Sequence, residues 1–227
     1  MKSDRFPDKI SRVYRTKEEA EETYNKMSGT YDLFAGTFEA KYTNMALKNL
    51  NIKEGENVLE IGFGTGHSIK QMANLVGETG KIYGIDISSG MLKVAEKRLG
   101  KADLLNRVEL TCGDAVSLPY QDNIFDAVFM SFTLELFDTP EIPIVLNEIR
   151  RVLKPMGRLG IVSMSKENGA SILLNIYEWA HRKFPKYADC RPIYVEQSVQ
   201  DAGFGIKYKE KVKLFGLPTE IIIGLCP

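Results

Sequence analysis

The chain has 227 residues, a length that fits one large α/β domain. Hydrophobic residues make up 44% of the chain, which argues against intrinsic disorder. Lysine plus arginine equals aspartate plus glutamate, 30 against 30, so the composition does not favour a nucleic acid as partner. Three widely spaced cysteines and only two histidines predict no metal site.

The N-terminal sequence carries no targeting signal that we recognise. Residues 1–8 contain no apolar run, and no segment of the chain reaches 18 uninterrupted apolar residues. We therefore expect neither a signal peptide nor a membrane-spanning helix, and the expected location is the cytoplasm.

Two helices are predicted before the first strand. The sequence TKEE at residues 16–19 has the form of a capping box, so a helix is expected from Lys17 to about Met27. A second helix is expected from about Phe38 to Leu50. No repeat and no low-complexity linker interrupts the chain, which predicts one structural domain overall.

From residue 57 onward, apolar runs of strand length alternate with segments of helical periodicity. This alternation predicts an α/β fold, with a doubly wound, mostly parallel seven-stranded sheet and helices on both faces. A helix is also expected near Ala170–Lys183. The expected strands are Asn57–Ile61, Lys81–Asp86, Arg107–Cys112, Phe125–Ser131, Arg158–Met164, Gly205–Leu214 and Thr219–Leu225.

The turn after the first expected strand is the most informative segment. It reads NVLEIGFGTG over residues 57–66, an acid followed by three glycines at alternate positions: Glu60, Gly62, Gly64 and Gly66. Such glycines allow a tight turn and let a ligand lie against bare backbone at the N-terminus of the next helix. Asp86 ends the second strand, where a carboxylate can accept hydrogen bonds from ribose hydroxyls. The pattern indicates a nucleoside-binding site.

The spacing of this turn argues against a dinucleotide. A G-x-G-x-x-G pattern starting at Gly62 would need glycine at position 67, which is His67. A buried carboxylate at Glu60 would also repel a pyrophosphate, whereas it favours a cationic ligand or an amino group. S-adenosylmethionine carries both a sulfonium and an ammonium, so it fits this turn.

Five motifs in order resemble those of class I S-adenosylmethionine-dependent methyltransferases. They are the glycine turn, DISSGML from Asp86, GDA from Gly113, NIFDAV from Asn123 and RRVLKPMG from Arg150. The last motif departs from the family's R-V-L-K-P-G-G at Met156. The resemblance covers roughly residues 20–227 and implies a Rossmann-like sheet. It also implies that residues 1–50 form a helical lid and residues 51–227 the cofactor-binding part.

The resemblance implies a role for each cofactor-binding residue. Asp86 is expected at the ribose, Asp114 at the adenine amino group, and the glycine turn at the methionine portion. The cofactor is S-adenosylmethionine and the product S-adenosylhomocysteine. The implied binding residues are Tyr31, Glu60, Gly62, Gly64, Thr65, Gly66, Asp86, Ile87, Met91, Asp114, Ala115 and Ser131.

No catalytic residue can be identified from the sequence. Methyl transfer is an in-line displacement with a neutral leaving group, so it needs a base only where the acceptor must lose a proton. Three residues are candidates, each with a simpler alternative. The favoured interpretation is packing over the cofactor for Tyr31, a helix-start residue for His67 and a solvated loop carboxylate for Glu135.

The acceptor is less well defined than the cofactor. The motifs resemble most closely the ubiquinone/menaquinone-biosynthesis C-methyltransferases, although their F-G-x-R-N after the fourth strand reads FTLEL here, from Phe132. Residues 179–193 and 217–221 resemble relatives that include phospholipid N-methyltransferases. We expect a small apolar or amphipathic acceptor, a quinone precursor or a lipid. Peripheral contact with a membrane is an accompanying hypothesis, and the oligomeric state stays open.

Two other function classes stay open at this point. One is a protein that binds S-adenosylmethionine without catalysis, which methyl transfer to any acceptor would exclude. The other is a nicotinamide-dependent oxidoreductase, against which both His67 and Glu60 argue.

Overall fold

The computed structural model describes residues 10, 12–13, 15–29, 36–167, 174, 178–179, 181 and 190–227. Tyr31 and most of the helix expected near Ala170–Lys183 lie outside these residues. Within the described part of the chain, seven strands form one sheet, as the sequence predicts.

The elements follow the predicted order. The helices are α1 (Lys17–Met27), α2 (Gly36–Leu50), α3 (His67–Leu75), α4 (Ser89–Lys101), α5 (Ile142–Val152) and α6 (Val195–Asp201). The strands are β1 (Asn57–Ile61), β2 (Lys81–Asp86), β3 (Val108–Cys112), β4 (Phe125–Ser131), β5 (Leu153–Met164), β6 (Gly205–Leu214) and β7 (Leu217–Leu225). Short 3-10 turns lie at Leu105–Arg107 and Leu134–Leu136.

The strand order across the sheet is β3-β2-β1-β4-β5-β7-β6. Neighbouring strands among β1–β5 are parallel, and β7 is antiparallel to both β5 and β6. This confirms the mostly parallel α/β sheet. From β1 the chain continues to β2 and β3 on one side of β1. It then crosses to β4 on the other side of β1. In sheets of this kind, ligands bind outside the carboxyl ends of the strands at that reversal.

Each face of the sheet has its own apolar core. On β1, Leu59 and Ile61 belong to the core under α5 and α6, whereas Val58 belongs to the core under α2, α3 and α4. Because strands of a parallel sheet are covered on both faces, their sequences are apolar almost without interruption. Glu60 lies in the middle of such a run, on the same face as Val58, and is 2% exposed.

The two N-terminal helices are placed differently. The capping box of α1 is confirmed, since Thr16 and Glu19 bond each other's backbone, and α1 contains no buried residue. Helix α2 packs on the sheet, with Ala46 and Leu50 fully buried in the core. The side-chain oxygen of Asn25 on α1 accepts hydrogen bonds from the Ser88 hydroxyl and the Gly90 N–H at the start of α4. The lid over residues 1–50 stays a prediction, which α1 fits better than α2.

Three strand starts differ from the sequence expectation, and the smallest difference is in β3, which begins at Val108 because Arg107 ends a 3-10 turn. Strand β5 begins at Leu153 rather than Arg158, because Leu153 also pairs with Phe125 before a bulge. Within that bulge Met156 has φ of 62°, the left-handed conformation that explains why related sequences carry glycine there. Strand β7 begins two positions before the expected Thr219, because a tight hairpin joins it to β6.

A matched pair of leucines tests the two-sided core. Leu59→Ala removes a side chain with no exposed surface and should lower the free energy of unfolding by about 2–5 kcal/mol. Leu75→Ala changes a side chain on α3 that is 48% exposed and should cost no more than about 0.5 kcal/mol. Urea denaturation of both variants measures this difference. Similar losses in the two variants would contradict the packing described here.

Candidate functional site

A cavity of about 480 Å³ opens where the carboxyl ends of β1, β2 and β4 meet, the position at which the strand order reverses. Its walls come from the glycine turn, the loops after β2, β3 and β4, and the segment that leads into α1. Eight of the predicted cofactor-binding residues line it: Gly62, Gly64, Asp86, Ile87, Met91, Asp114, Ala115 and Ser131.

The three glycines of the turn all have positive φ, 73°, 52° and 82° for Gly62, Gly64 and Gly66. Their surroundings differ. A Cβ at Gly62 would clash with the side chain of Thr133, and one at Gly66 would lie 2.9 Å from Ala95 on α4. A Cβ at Gly64 would meet no atom within 4 Å. Gly62 and Gly66 are therefore required for packing, and Gly64 exposes bare backbone to the cavity.

Asp86 ties the end of β2 to the glycine turn. One carboxylate oxygen accepts from the Gly64 N–H at 2.8 Å and the other from the Ser88 N–H at 2.9 Å. Burial raises the pKa of Asp86, and the two backbone hydrogen bonds act in the opposite direction. Each oxygen keeps a second lone pair, so the carboxylate can also accept from two hydroxyl groups of a ligand.

Glu60 is buried next to the glycine turn and does not line the cavity. Burial, with the neighbouring charge of Asp86, raises the pKa of Glu60 well above its usual range, although bonds from Ser68 and the Ile69 backbone oppose this. Its Oε2 atom has no hydrogen-bond partner among the residues that the structure describes. A buried acceptor in this state can take a hydrogen bond from a cationic donor.

Of the remaining predicted residues that the structure describes, Thr65, Gly66 and His67 do not line the cavity. Thr65 is buried, and its hydroxyl accepts from Arg98 at 3.0 Å. Gly66 packs on α4, as described above. His67 is the exposed first residue of α3 and does not line the cavity. Tyr31, predicted both for the cofactor and as a catalytic candidate, lies outside the described residues.

Glu135 is not the solvated loop carboxylate that we expected from its position after β4. It is completely buried in the 3-10 turn at Leu134–Leu136, and one of its oxygens accepts from the Met164 N–H at 3.1 Å. It does not line the cavity. The expectation of a solvated carboxylate was wrong because the end of β5 covers Glu135. No local sequence pattern predicts that contact. Glu135 therefore connects the two strand ends and is poorly placed to act as a base.

One cavity wall falls within the expected lid of residues 1–50, but none of its residues was predicted as a site residue. It comes from the N-terminal segment, where Lys17 forms ion pairs with Asp114 and, at 2.7 Å, with Glu141. Burial alone would lower the pKa of Lys17, but the hydrogen bonds to the two acids outweigh it and the pKa is raised. The capping box predicts where α1 begins, but nothing in the local sequence indicates which surface α1 covers. The segment contributes Val13, Arg15, Thr16, Lys17, Ala20 and Tyr24 to the lining.

A second tether holds the same segment. The guanidinium of Arg12 makes three hydrogen bonds to the carboxylate of Asp138, of 2.6 to 2.9 Å, and the Val13 N–H donates to the same group at 3.0 Å. Partial burial would raise the pKa of Asp138, but these bonds and one from Thr139 lower it to about 2. Asp138 therefore stays charged down to strongly acidic pH, and its ion pair with Arg12 persists over the same range.

The end of β4 is a strained part of the wall. Phe132 has φ of 52°, which is rare for a bulky residue, and its N–H bonds the Val162 carbonyl at 2.7 Å. Ser131, just before it, shares a hydrogen bond of 2.9 Å with Thr43 of α2. Such backbone conformations persist where the surrounding structure holds them, and they cluster at functional sites.

Sequence comparisons agree with this geometry. A family model described as a methyltransferase domain matches residues 58–157. The demethylmenaquinone methyltransferase of Listeria welshimeri is 37% identical over 158 residues, which are 67% of this chain and 66% of that protein. The matched part thus spans slightly less than two thirds of that relative's length.

Solved structures show the same fold. A SAM dependent methyltransferase from Aquifex aeolicus is 26% identical, with a TM-score of 0.61, and the match covers 82% of this chain and 89% of that one. The cyclase SpnF matches with a TM-score of 0.74 over 93% of this chain and 97% of its own, at 20% identity. At that identity the similarity to SpnF concerns the fold alone.

None of the helices in the described ranges combines the length and apolar character needed to cross a bilayer. The glycine turn, the strand order, the matched domain and the methyltransferase relatives all lead to one family. Residues 58–157 are a methyltransferase domain, and the chain is similar to S-adenosylmethionine-dependent methyltransferases in sequence and in fold.

Proposed function

We propose that this protein transfers a methyl group from S-adenosylmethionine to a small apolar or amphipathic acceptor, with a quinone precursor as the first candidate. One observation carries the proposal. Bare backbone at Gly64, the carboxylate of Asp86 and the unpartnered Oε2 of Glu60 are grouped at the strand-order reversal. This set suits a ligand that has ribose hydroxyls and an ammonium, and Glu60 disfavours a pyrophosphate.

In this proposal the cavity holds the cofactor through three groups. Asp86 accepts from the ribose hydroxyls, Asp114 from the adenine amino group, and the turn at Gly62 and Gly64 lies against the methionine portion. Ile87 and Met91 would flank the adenine with apolar surface. Glu60 would act from behind the turn, on the ammonium directly or through a water. Tyr31, Thr65 and Gly66 remain part of the predicted set, although the last two serve packing rather than the lining.

The cofactor supplies an activated methyl group on a positively charged sulfur, with a neutral leaving group. The task left to the protein is to hold the acceptor in line with that methyl group and to exclude water. Ser131 and the strained Phe132 at the end of β4 are proposed to face the methyl group. We assign no general base, since His67 is exposed away from the cavity and Glu135 is buried outside it.

Helix α1 is proposed to serve as the lid. Its ion pair from Lys17 to Asp114 and Glu141, and the Arg12–Asp138 pair before it, hold the segment over the cavity. Both tethers are partly exposed to solvent, so each contributes little energy and can open and close. Release of these two contacts, together with the hydrogen bonds from α4 to Asn25, would open the cavity for exchange of cofactor and product.

The acceptor is proposed from two lines of support. Two parts of the cavity wall, the loop after β4 and the segment before α1, contribute apolar side chains: Val13, Phe132, Leu136, Phe137 and Pro140. This apolar surface suits a hydrophobic acceptor. The relatives that match most of this chain are named demethylmenaquinone methyltransferases. A lipid acceptor remains the alternative, with contact to a membrane surface in either case.

A second function has one specific observation in its favour. SpnF, which shares the fold over nearly the whole chain, is a cyclase, so a fold of this kind does not by itself fix methyl transfer. The chain could bind S-adenosylmethionine without transferring its methyl group. Labelled S-adenosylmethionine offered with demethylmenaquinol-type quinols, phospholipids and small amines distinguishes the two functions. Methyl transfer to any of these acceptors excludes the binding-only function. Binding of S-adenosylmethionine without transfer to any of them favours the binding-only function.

Asp86→Ala is expected to weaken binding of S-adenosylhomocysteine roughly 10- to 150-fold, because hydrogen bonds to a charged group contribute about 1.5–3 kcal/mol. Calorimetric titration measures this, with NADH as a comparison ligand that should not bind. Asp122→Ala is the matched control, since Asp122 is an exposed loop carboxylate outside the cavity. Unchanged affinity in Asp86→Ala would contradict the site.

Binding of S-adenosylmethionine is expected to release a proton from Glu60. Because burial raises the pKa of Glu60, the free protein carries a proton there at pH values below the raised pKa. An ammonium nearby would lower that pKa, so proton release should be largest at pH values between the lowered and the raised pKa and should vanish above and below that range. Titrations in two buffers with different ionisation enthalpies measure the released proton. Equal release by Glu60→Gln would contradict this role.

Lys17→Met is expected to speed dissociation of S-adenosylhomocysteine about two- to fivefold, because a partly exposed ion pair contributes little more than that. Stopped-flow displacement measures the rate. Lys26→Met is the control, since Lys26 lies on the same helix and pairs only with Glu22 among the described residues. Tighter binding in Lys17→Met would mean instead that Lys17 competes with the adenine for Asp114.

A further inference from the structure

The hairpin between β6 and β7 exposes a large aromatic side chain where a polar residue is expected. Leu214 pairs with Leu217, so the loop has only two residues, Phe215 and Gly216, with φ of 51° and 82°. Two-residue loops with both φ values positive favour Asn-Gly, because asparagine tolerates this conformation and phenylalanine does not. Phe215 is nevertheless 66% exposed. A residue that violates a local rule without filling the core points to a function.

This hairpin lies at the same edge of the sheet as the cavity. The Pro218 carbonyl, three residues after Phe215, accepts from the Ser165 N–H at 2.9 Å. Ser165 directly follows β5, and β5 runs parallel to β4, whose last residue lines the cavity. The tip of the hairpin therefore projects beyond the carboxyl ends of the parallel strands, the edge at which a ligand enters.

A second exposed aromatic side chain is attached to the same edge. Trp179, the single tryptophan of the chain, is 51% exposed. Its neighbour Glu178 accepts an ion pair from Lys166 at 2.6 Å, and Lys166 follows Ser165 at the end of β5. Trp179 and Phe215 are thus linked to adjacent residues of one strand end.

Two lysines accompany these rings. Lys213 lies on β6, two residues before Phe215, and its carbonyl accepts a hydrogen bond from the hydroxyl of Tyr42 at 2.7 Å. Lys41 places its ammonium 5.5 Å from the ring of the same tyrosine. Neither lysine forms an ion pair with any residue in the described ranges, whereas Lys211 and Lys166 are neutralised by nearby glutamates. The surface thus combines exposed aromatic rings with unneutralised positive charge.

We propose that this surface, defined as the edge patch of Lys41, Trp179, Lys213 and Phe215, docks on an anionic phospholipid bilayer. Aromatic side chains favour the boundary between headgroups and acyl chains, and lysines near the surface are attracted to anionic headgroups. The inference stands on these exposed residues and does not require the proposed acceptor. If both hold, the bilayer delivers an apolar acceptor to the edge on which the cavity opens.

The test is sedimentation of the full chain with vesicles, using phosphatidylcholine alone and an equal mixture with phosphatidylglycerol. The full chain should bind the mixed vesicles and release from them at high salt. Phe215→Asn and Lys213→Glu should each lower the partition coefficient about fivefold or more, as expected for loss of one interfacial group. Phe215→Asn creates the preferred Asn-Gly turn, so the hairpin is expected to keep its fold, which thermal unfolding of the variant checks.

Matched controls lie at the opposite edge of the sheet. Met156 is 68% exposed and has φ of 62°, so Met156→Asn makes the same kind of change far from the edge patch. Lys207→Glu changes an exposed lysine at the other end of β6. Both controls should bind vesicles like the unchanged chain. Binding of S-adenosylhomocysteine should be the same in all four variants, which separates this test from that of the proposed function.

Three results would overturn the proposal. The first is no binding of the full chain to the mixed vesicles, and the second is an equal loss in the variants of both edges. The third is a dimer in gel filtration that Phe215→Asn converts to a monomer while vesicle binding is unchanged. That last result would assign the edge patch to contact between two copies of the chain.

Discussion

The carboxylate of Asp86 is the contact on which the cavity depends most directly. It is the last residue of β2, and it holds the backbone of the glycine turn that follows β1 through the Gly64 N–H. The same carboxylate accepts from Ser88, the residue that caps α4. One buried group therefore fixes the turn, the strand end and the start of a helix relative to one another. These contacts join protein groups to one another, so they hold this wall of the cavity in one shape.

Negative charge dominates the lining of this cavity, and the chain compensates for it from one side. Asp86, Asp114, Asp138 and Glu141 contribute to the walls. The positive charges come from the segment before and at the start of α1, through Arg12 and Lys17. This arrangement gives the N-terminal segment a physical reason to lie over the cavity even though α1 buries no side chain of its own. Its attachment combines these partly exposed ion pairs with hydrogen bonds from the start of α4 to the Asn25 side chain.

The strand ends at β4 and β5 connect the cavity to the exposed surface beyond it. Phe132, with its unusual φ, and the buried Glu135 pack where β4 ends, and Glu135 holds the backbone of Met164 at the end of β5. Two residues later the chain reaches Lys166, which anchors the segment that carries Trp179. The cavity and the edge patch are thus built on consecutive parts of the same sheet edge.

The sequence by itself determined the α/β order of elements, the strand ends and the residues of the glycine turn. Periodicity, capping and glycine conformation act over a few neighbouring residues, and for this reason Lys17–Met27, Phe125–Ser131 and Gly205–Leu214 were predicted to the residue. Only the tertiary structure decided what lies against those elements. It moved Glu135 into the interior, gave Gly62 and Gly66 packing roles, and brought Lys17 to Asp114 across 97 positions of the chain. Contacts of that separation depend on how whole layers pack, and no local pattern encodes them.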